Sequence, residues 1–239
     1  MNRNLLTQLT LSSSLIVLSL GLVACTGAST GNEPSSSEAT DSEVAAGHGG
    51  GHGSNHGSEM PLSEEMDHGD MHMSLGPQDE LFDLRFIDAM IPHHQGAVEM
   101  AEEALDKSDR PEIQTLSQEI ITAQEQEIQQ LQEWRQAWYP DAGGTPVMYH
   151  EAMGHTMPMT EEMRQAMMMS GDLGEADAEF DLRFINAMIP HHVGAVEMAQ
   201  EALENSDRPE IRELAQAIID AQEQEIAQME QWRQEWYGL

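Results

Sequence analysis

Between residues 79 and 106, apolar side chains recur at alternating intervals of three and four along two adjoining lines. One line is Leu84, Ile87, Ile91, His94, Val98, Ala101 and Leu105; the other is Phe86, Met90, His93, Ala97, Met100 and Ala104. Asp83, Gln95, Glu99, Glu102 and Asp106 fall on the opposite side. This period belongs to an α-helix, and a helix with two apolar lines needs more than one neighbour. Ser108-Asp109-Arg110-Pro111-Glu112 then reads as a turn, a cap and a proline in the first turn of a second helix. That helix reaches Trp138, ahead of Pro140. It carries one seam of Ile113, Leu116, Ile120, Ala123, Glu127, Gln130, Trp134 and Ala137, and another of Ile121, Gln124, Ile128, Leu131 and Trp138. So short a loop forces the two helices to run antiparallel.

The whole pattern occurs twice. The stretch from Phe82 to Tyr139 aligns without a gap on that from Phe180 to Tyr237, and Met90-Ile91-Pro92-His93-His94 returns as Met188-Ile189-Pro190-His191-His192. This is an internal duplication. One helical hairpin cannot cover its own double seam, so the economical fold is all-α. It is a single four-helix bundle with a pseudo-two-fold axis, built from repeats at 77–140 and 179–239 and joined by a crossover at 141–178. Two separate hairpins, each dimerising between chains, are the alternative.

Polar residues interrupt the seams at one height. Counting back from the hairpin turn near residue 108, Met90 falls level with Glu127 and His93 with Gln124. Met90, His93, His94, Gln124 and Glu127 thus converge, as do their copies Met188, His191, His192, Gln222 and Glu225. A lone seam histidine beside a glutamate is usually a satisfied structural pair. Two adjacent histidines with a thioether, an amide and a carboxylate, repeated, point to a metal, shared in one site or held in two. One Glu per repeat is too few carboxylates for a di-iron bundle. Imidazole with thioether suits copper, Cu(I) above all with Cu(II) as a second state, and zinc is the rival. Pro92 lies just before the histidines. Inside a helix it removes one backbone bond and crowds the carbonyl of Asp88, so a kink is expected there.

Soft ligands also lie outside the repeats. Residues 25–76 form a Gly/Ser/His-rich tether with little to bury, read as disordered. It holds His48, His52 and His56, then Met60, Met66, His68, Met71, His72 and Met73. The crossover carries Met148, His150, Met153, His155, Met157, Met159, Met163 and Met167-Met168-Met169. Met60-Pro61-Leu62-Ser63-Glu64-Glu65-Met66 matches Met157-Pro158-Met159-Thr160-Glu161-Glu162-Met163, so the duplicated unit includes a Met/His-rich leader. Thr160 or Ser63 would cap a short helix with acids in its first turn. These segments are read either as copper-capturing arms or, for the helix, as a Met-lined face packed on the bundle.

The first residues read as a secretory signal, 1–24: Arg3, an apolar run over residues 5–23, and Leu22-Val23-Ala24-Cys25. The last four resemble the lipobox of bacterial lipoproteins, which implies lipidation of Cys25 and an extracytoplasmic protein anchored to a bacterial membrane. Cys25 is the only cysteine, so no intrachain disulfide is expected. Asp and Glu outnumber Lys and Arg by 43 to 10, for a net charge of −33. That excludes nucleic acid as a partner.

The run Phe-Ile-(Asp/Asn)-Ala-Met-Ile-Pro-His-His-x-Gly-Ala-Val-Glu-Met-Ala, followed by Ala-Gln-x-x-Glu-Ile and a tryptophan, resembles the domain of unknown function 305 family. Members of that family include secreted CopM-like copper-binding proteins. The resemblance implies a ferritin-like four-helix bundle, extracytoplasmic Cu(I)/Cu(II) binding and copper tolerance. With soft ligands in both the tether and the repeats, the expected role is sequestration, storage or transfer of copper, with a copper-exchanging protein as a partner. By position the resemblance points to Met90, His93, His94 and Met100, and to Met188, His191, His192 and Met198. Met100 lies two turns beyond His93, so geometry makes it either core or part of a second site. No catalytic residue is expected. A ferritin-like metal-dependent oxidase, with Glu127 and Glu225 bridging two metals, and a non-metal helical adaptor are the competing readings.

Overall fold

Helices begin and end where the sequence supplies punctuation. A computed structural model describes residues 74–239. In chain order its elements are α1 (Phe82–Lys107), α2 (Pro111–Trp138), β1 (Val147–His150), β2 (His155–Pro158), α3 (Glu161–Met168), α4 (Phe180–Asn205) and α5 (Pro209–Tyr237). Pro111 and Pro209 occupy the start of α2 and α5, where a missing N–H would have had no helical partner anyway. The Ser108 backbone N–H returns to the Ala104 carbonyl at 2.9 Å, and its hydroxyl accepts from Arg110 N–H at 3.1 Å, which closes the turn. The expected kink at the prolines does not end either helix: α1 and α4 run on through Pro92 and Pro190. The signal segment, Cys25 and the tether ligands, Met71, His72 and Met73 included, lie outside the described residues. Among those described, no helix is long and apolar enough to cross a membrane.

The two hairpins form one four-helix bundle. The N-terminal half of α1 (Phe82, Phe86, Met90) packs with the C-terminal half of α4 (Ala195, Ala199, Ala202) and with Ile211, Leu214 and Ile218 of α5. The reciprocal cluster joins Ala97, Met100, Ala101 and Ala104 of α1 to Phe180, Phe184 and Met188 of α4 and to Ile113, Leu116 and Ile120 of α2. Each cluster draws on both repeats, so neither hairpin has a complete core by itself. That removes the reading of two hairpins folding apart.

Matched clasps tie the halves at the bundle ends. The Arg110 guanidinium lies 4.0 Å from the centre of the Trp236 ring and 3.0 Å from Asp181 Oδ2. Arg208 mirrors it, 4.3 Å from the Trp138 ring and 3.2 Å from Asp83 Oδ2. Stacking on an aromatic face suits a planar guanidinium and orders a surface charge that would otherwise add little.

The crossover is more structured than its polarity suggests. It contains a two-stranded antiparallel hairpin with Val147 opposite Pro158 and His150 opposite His155, which the sequence reading left out. Asp88 explains its position: this buried carboxylate receives Arg135 Nε at 2.5 Å and the Val147 backbone N–H at 2.8 Å. Buried Arg85 does the same from the other side, donating to the carbonyls of Leu75 (2.5 Å) and Pro77 (2.6 Å) and to Thr156 Oγ1 at 2.8 Å. Thr160 caps α3 as expected, its hydroxyl accepting from Met163 N–H at 3.2 Å, with Glu161 and Glu162 in the first turn.

Candidate metal centre

Where α1 and α4 pass each other, the apolar core is interrupted by a layer of imidazoles. His93, His94, His191 and His192 are all buried, between the two clusters described above. The rings of His93 and His191, one from each repeat, meet with centroids 3.9 Å apart and planes tilted by 49°. His192 lies edge-on to His191 at 6.2 Å. Adjacent positions on a helix point about 100° apart, so each His-His pair sends one ring toward the other repeat and one toward its own hairpin partner.

The hairpin partner is a carboxylate. His192 Nε2 is 2.6 Å from Glu225 Oε2, and His94 Nε2 is 2.7 Å from Glu127 Oε2, the latter off the line that a hydrogen bond requires. Both glutamates are partly exposed, at 18% and 20%, so the negative end of each pair looks outward. A carboxylate can only accept, so His192 donates from Nε2, while its buried Nδ1 has no hydrogen-bond partner. His191 is fixed in the same way: its Nε2 donates to the Met168 carbonyl at 3.0 Å.

What remains is a set of buried ring nitrogens without partners. They are Nδ1 of His94, His191 and His192, together with both nitrogens of His93. An unsatisfied buried polar atom costs about 1–3 kcal/mol, so several in one layer form an unusual concentration. Burial, reinforced by the neighbouring histidines, holds the His93 imidazolium well below the ordinary histidine range and lowers His191 to about 3. At neutral pH both are uncharged, which is the form that ligates a metal.

Thioethers border the layer. Met90 and Met188 are fully buried one turn before His93 and His191. Met100 and Met198 are buried as well, in the clusters that hold Met188 and Met90 respectively, so they belong to the core next to the layer. Gln124 and Gln222 are buried with their Oε1 atoms unpaired, and neither is hydrogen-bonded to a histidine among the described residues. Among the described residues, no three of His, Cys, Asp and Glu are grouped so as to hold an ion. The donors that line the layer are imidazole nitrogen and thioether sulfur, a soft set that suits copper better than hard oxygen-seeking cations.

The crossover ligands divide. His155 is exposed on β2, with its ring Nδ1 3.2 Å from the Met153 carbonyl, and Met157 is half-buried on the same strand. Met159 and Met167 enter the core cluster of Met90, with Met148 and Met163 packed against it. Met148, Met163 and Met167 also line a pocket of about 180 Å³ together with Leu75 and Ala89. The reading of α3 as a Met-lined face laid on the bundle fits this placement. The sequence reading missed Gly96 and the Met168 carbonyl. A Cβ at Gly96 would stand 1.8 Å from that carbonyl oxygen, so only glycine lets α3 reach His191. A glycine inside a strongly helical run was the available signal.

Comparison with known proteins follows the same line. The family described as "Domain of unknown function (DUF305)" matches residues 32–135 and 83–233. CopM in the Cu(II)-bound form is similar over 65% of this chain and 97% of its own, at 42% identity and a TM-score of 0.51. CopM in its apo form and in an Ag-bound form obtained by soaking are each 38% identical over 65% of this chain, also at 0.51. Among curated proteins, none matches.

Proposed function

The chain belongs to the DUF305 family, and from that premise we propose that it binds copper in the histidine layer between its two repeats. One observation carries the reading: buried imidazoles from both repeats with unpartnered ring nitrogens, bordered by Met90 and Met188. His192 donating to Glu225 is the arrangement by which proteins orient a metal-ligating histidine and raise its basicity. The Cu(II)-bound and Ag-bound forms of CopM support the same choice of ion. The thioethers favour Cu(I), and a similar bundle taking both copper and silver agrees with a soft site.

The finer reading is a protein that sequesters, stores or passes on copper outside the cytoplasm, anchored through lipid on Cys25 and contributing to copper tolerance. The tether histidines and methionines would capture ions, and the bundle would hold them. Binding is favoured over oxidase chemistry because each of the two carboxylates of the layer is occupied by a histidine. Bridging two metals through Glu127 and Glu225 would require breaking both pairs.

Titration of Cu(I) into the full chain against a competing chelator tests the reading. A tight component that disappears in the H93L/H191L variant, leaving weaker binding by the tether, is the expected result. Unchanged tight binding in that variant would move the site out of the bundle.

A further inference from the structure

A buried metal layer needs an entry path, and Met168 stands at both places that such a path must join. Its backbone carbonyl lies over Gly96 and accepts from His191 Nε2 at 3.0 Å, so the residue touches the histidine layer directly. The same residue also lines a surface groove of about 700 Å³ between α1, α2 and α3. Arg164, which lines that groove too, donates from Nη1 to Met168 Sδ at 3.2 Å. Sulfur is therefore the atom that Met168 presents there.

The groove has the chemistry of a passage for a soft cation. Its half-buried wall is Gln95, Val98 and Ile128. Val98 follows His94 by one helical turn and Ile128 adjoins Glu127, so this wall borders the pair made by His94 and Glu127. Glu99 and Glu125, both exposed, make the mouth negative. Arg164 is held by Glu161 through bonds of 2.9 and 2.6 Å, which offset its charge. Carboxylates attract any cation, and a thioether selects a soft one. Met90 and Met188 cannot make that selection first, because both are fully buried. Met167, the neighbour of Met168, shares the core cluster of Met90, so sulfur continues inward from the groove.

We propose that Met168 is a transit ligand: Cu(I) enters along this groove, is taken by the Met168 thioether, and passes to the histidine layer. The step is a ligand exchange in which no electron moves. The sulfur lone pair that accepts from Arg164 is given to the ion, and the guanidinium keeps its two bonds to Glu161. This inference rests on the reading of the layer as a copper site. Affinity depends on the end states alone, so loss of a transit ligand slows loading and release together and leaves the equilibrium in place.

The test compares M168L and M168A with wild type in the full chain. Both substitutions keep the backbone carbonyl that His191 uses. Cu(I) is supplied without oxygen as its acetonitrile complex, and excess coloured Cu(I) chelator is added after set delays. The fraction that the protein retains gives the loading rate of the tight component, and equilibrium competition with the same chelator gives its affinity. Loading at least about tenfold slower in both variants, with affinity within about twofold of wild type, is expected. Loosening of α3 would open the layer and speed loading, so slowing in both variants has another cause, the missing sulfur. An unchanged rate in M168L overturns the proposal. Faster loading in M168A also overturns it, since Met168 would then be a plug. So does an affinity that falls in step with the loading rate, the mark of a resident ligand. A wild-type tight component that survives in H93L/H191L would overturn the layer reading and this proposal together; one lost there, but loading normally in M168L, overturns this proposal alone.

Discussion

His93 and His191, far apart in sequence, face each other across the bundle with ring centroids 3.9 Å apart. The contact joins the same position of two repeats, so the duplication created it at once. A single hairpin has half the layer and half of each apolar cluster. Folding and assembly of the candidate site are therefore one event in this chain.

Acid should loosen that contact in the metal-free protein. Burial depresses His93 and His191 below the ordinary histidine value, His191 to about 3. Below about pH 6.5 the unfolded chain binds protons that the folded one refuses, so stability is fully present above that pH and declines as pH falls toward 3. Each histidine contributes a slope of at most about 1.4 kcal/mol per pH unit. Denaturant unfolding between pH 7.5 and 5 checks this, and H93L/H191L should flatten the dependence. A wild-type profile no steeper than that of the variant would show that the histidines do not cause it.

Gly96→Ala should destabilise, against the general rule. Alanine normally stabilises an exposed helix interior by about 1 kcal/mol over glycine. Here the new methyl group would collide with the Met168 carbonyl, so α3 must move and His191 loses its acceptor. A lowered melting temperature with faster hydrogen exchange across 161–170 is expected.

Asp88→Ala should cost about 3 kcal/mol, the scale for removing one partner of a buried ion pair. It leaves Arg135 and the Val147 N–H without their acceptor. The β1–β2 hairpin should loosen first, visible as early exchange of its amides. The equivalent residue, Asn186, carries no such strand, and Asn186→Ala should be nearly silent in the same assay.

Replacing Glu127 and Glu225 together by alanine should weaken copper binding about 10–100-fold, the usual effect of removing the groups that orient ligating histidines. Helix content should persist because both side chains are partly exposed. Equal affinity would mean that the glutamates play no part in presenting the rings.

The bundle was legible because apolar spacing, turn residues and duplication all agree. The double seam on α1 demanded extra neighbours, and the second copy supplied them. The inward histidines followed from the same spacing, and so did the level of Glu127 with the His93-His94 pair. The contact of His93 with His191 across the repeats did not. Helix phase fixes height along an axis but not which neighbour a side chain turns to, and His93 turns to the other repeat. Asp88 and Arg85 escaped for a different reason. A charged residue in a helical pattern is assigned to solvent by default, and here each is buried because a crossover strand supplies its partner. That strand was itself obscured, since a polar Met/His-rich segment gives no strong β signal.

X-ray absorption at the copper edge, on the full chain loaded with substoichiometric Cu(I), tests the central claim most directly. Coordination by both imidazole nitrogen and sulfur is predicted, with the sulfur contribution reduced in M90L/M188L and the nitrogen contribution reduced in H93L/H191L. A spectrum left unchanged by both pairs of substitutions would contradict a copper site in the histidine layer.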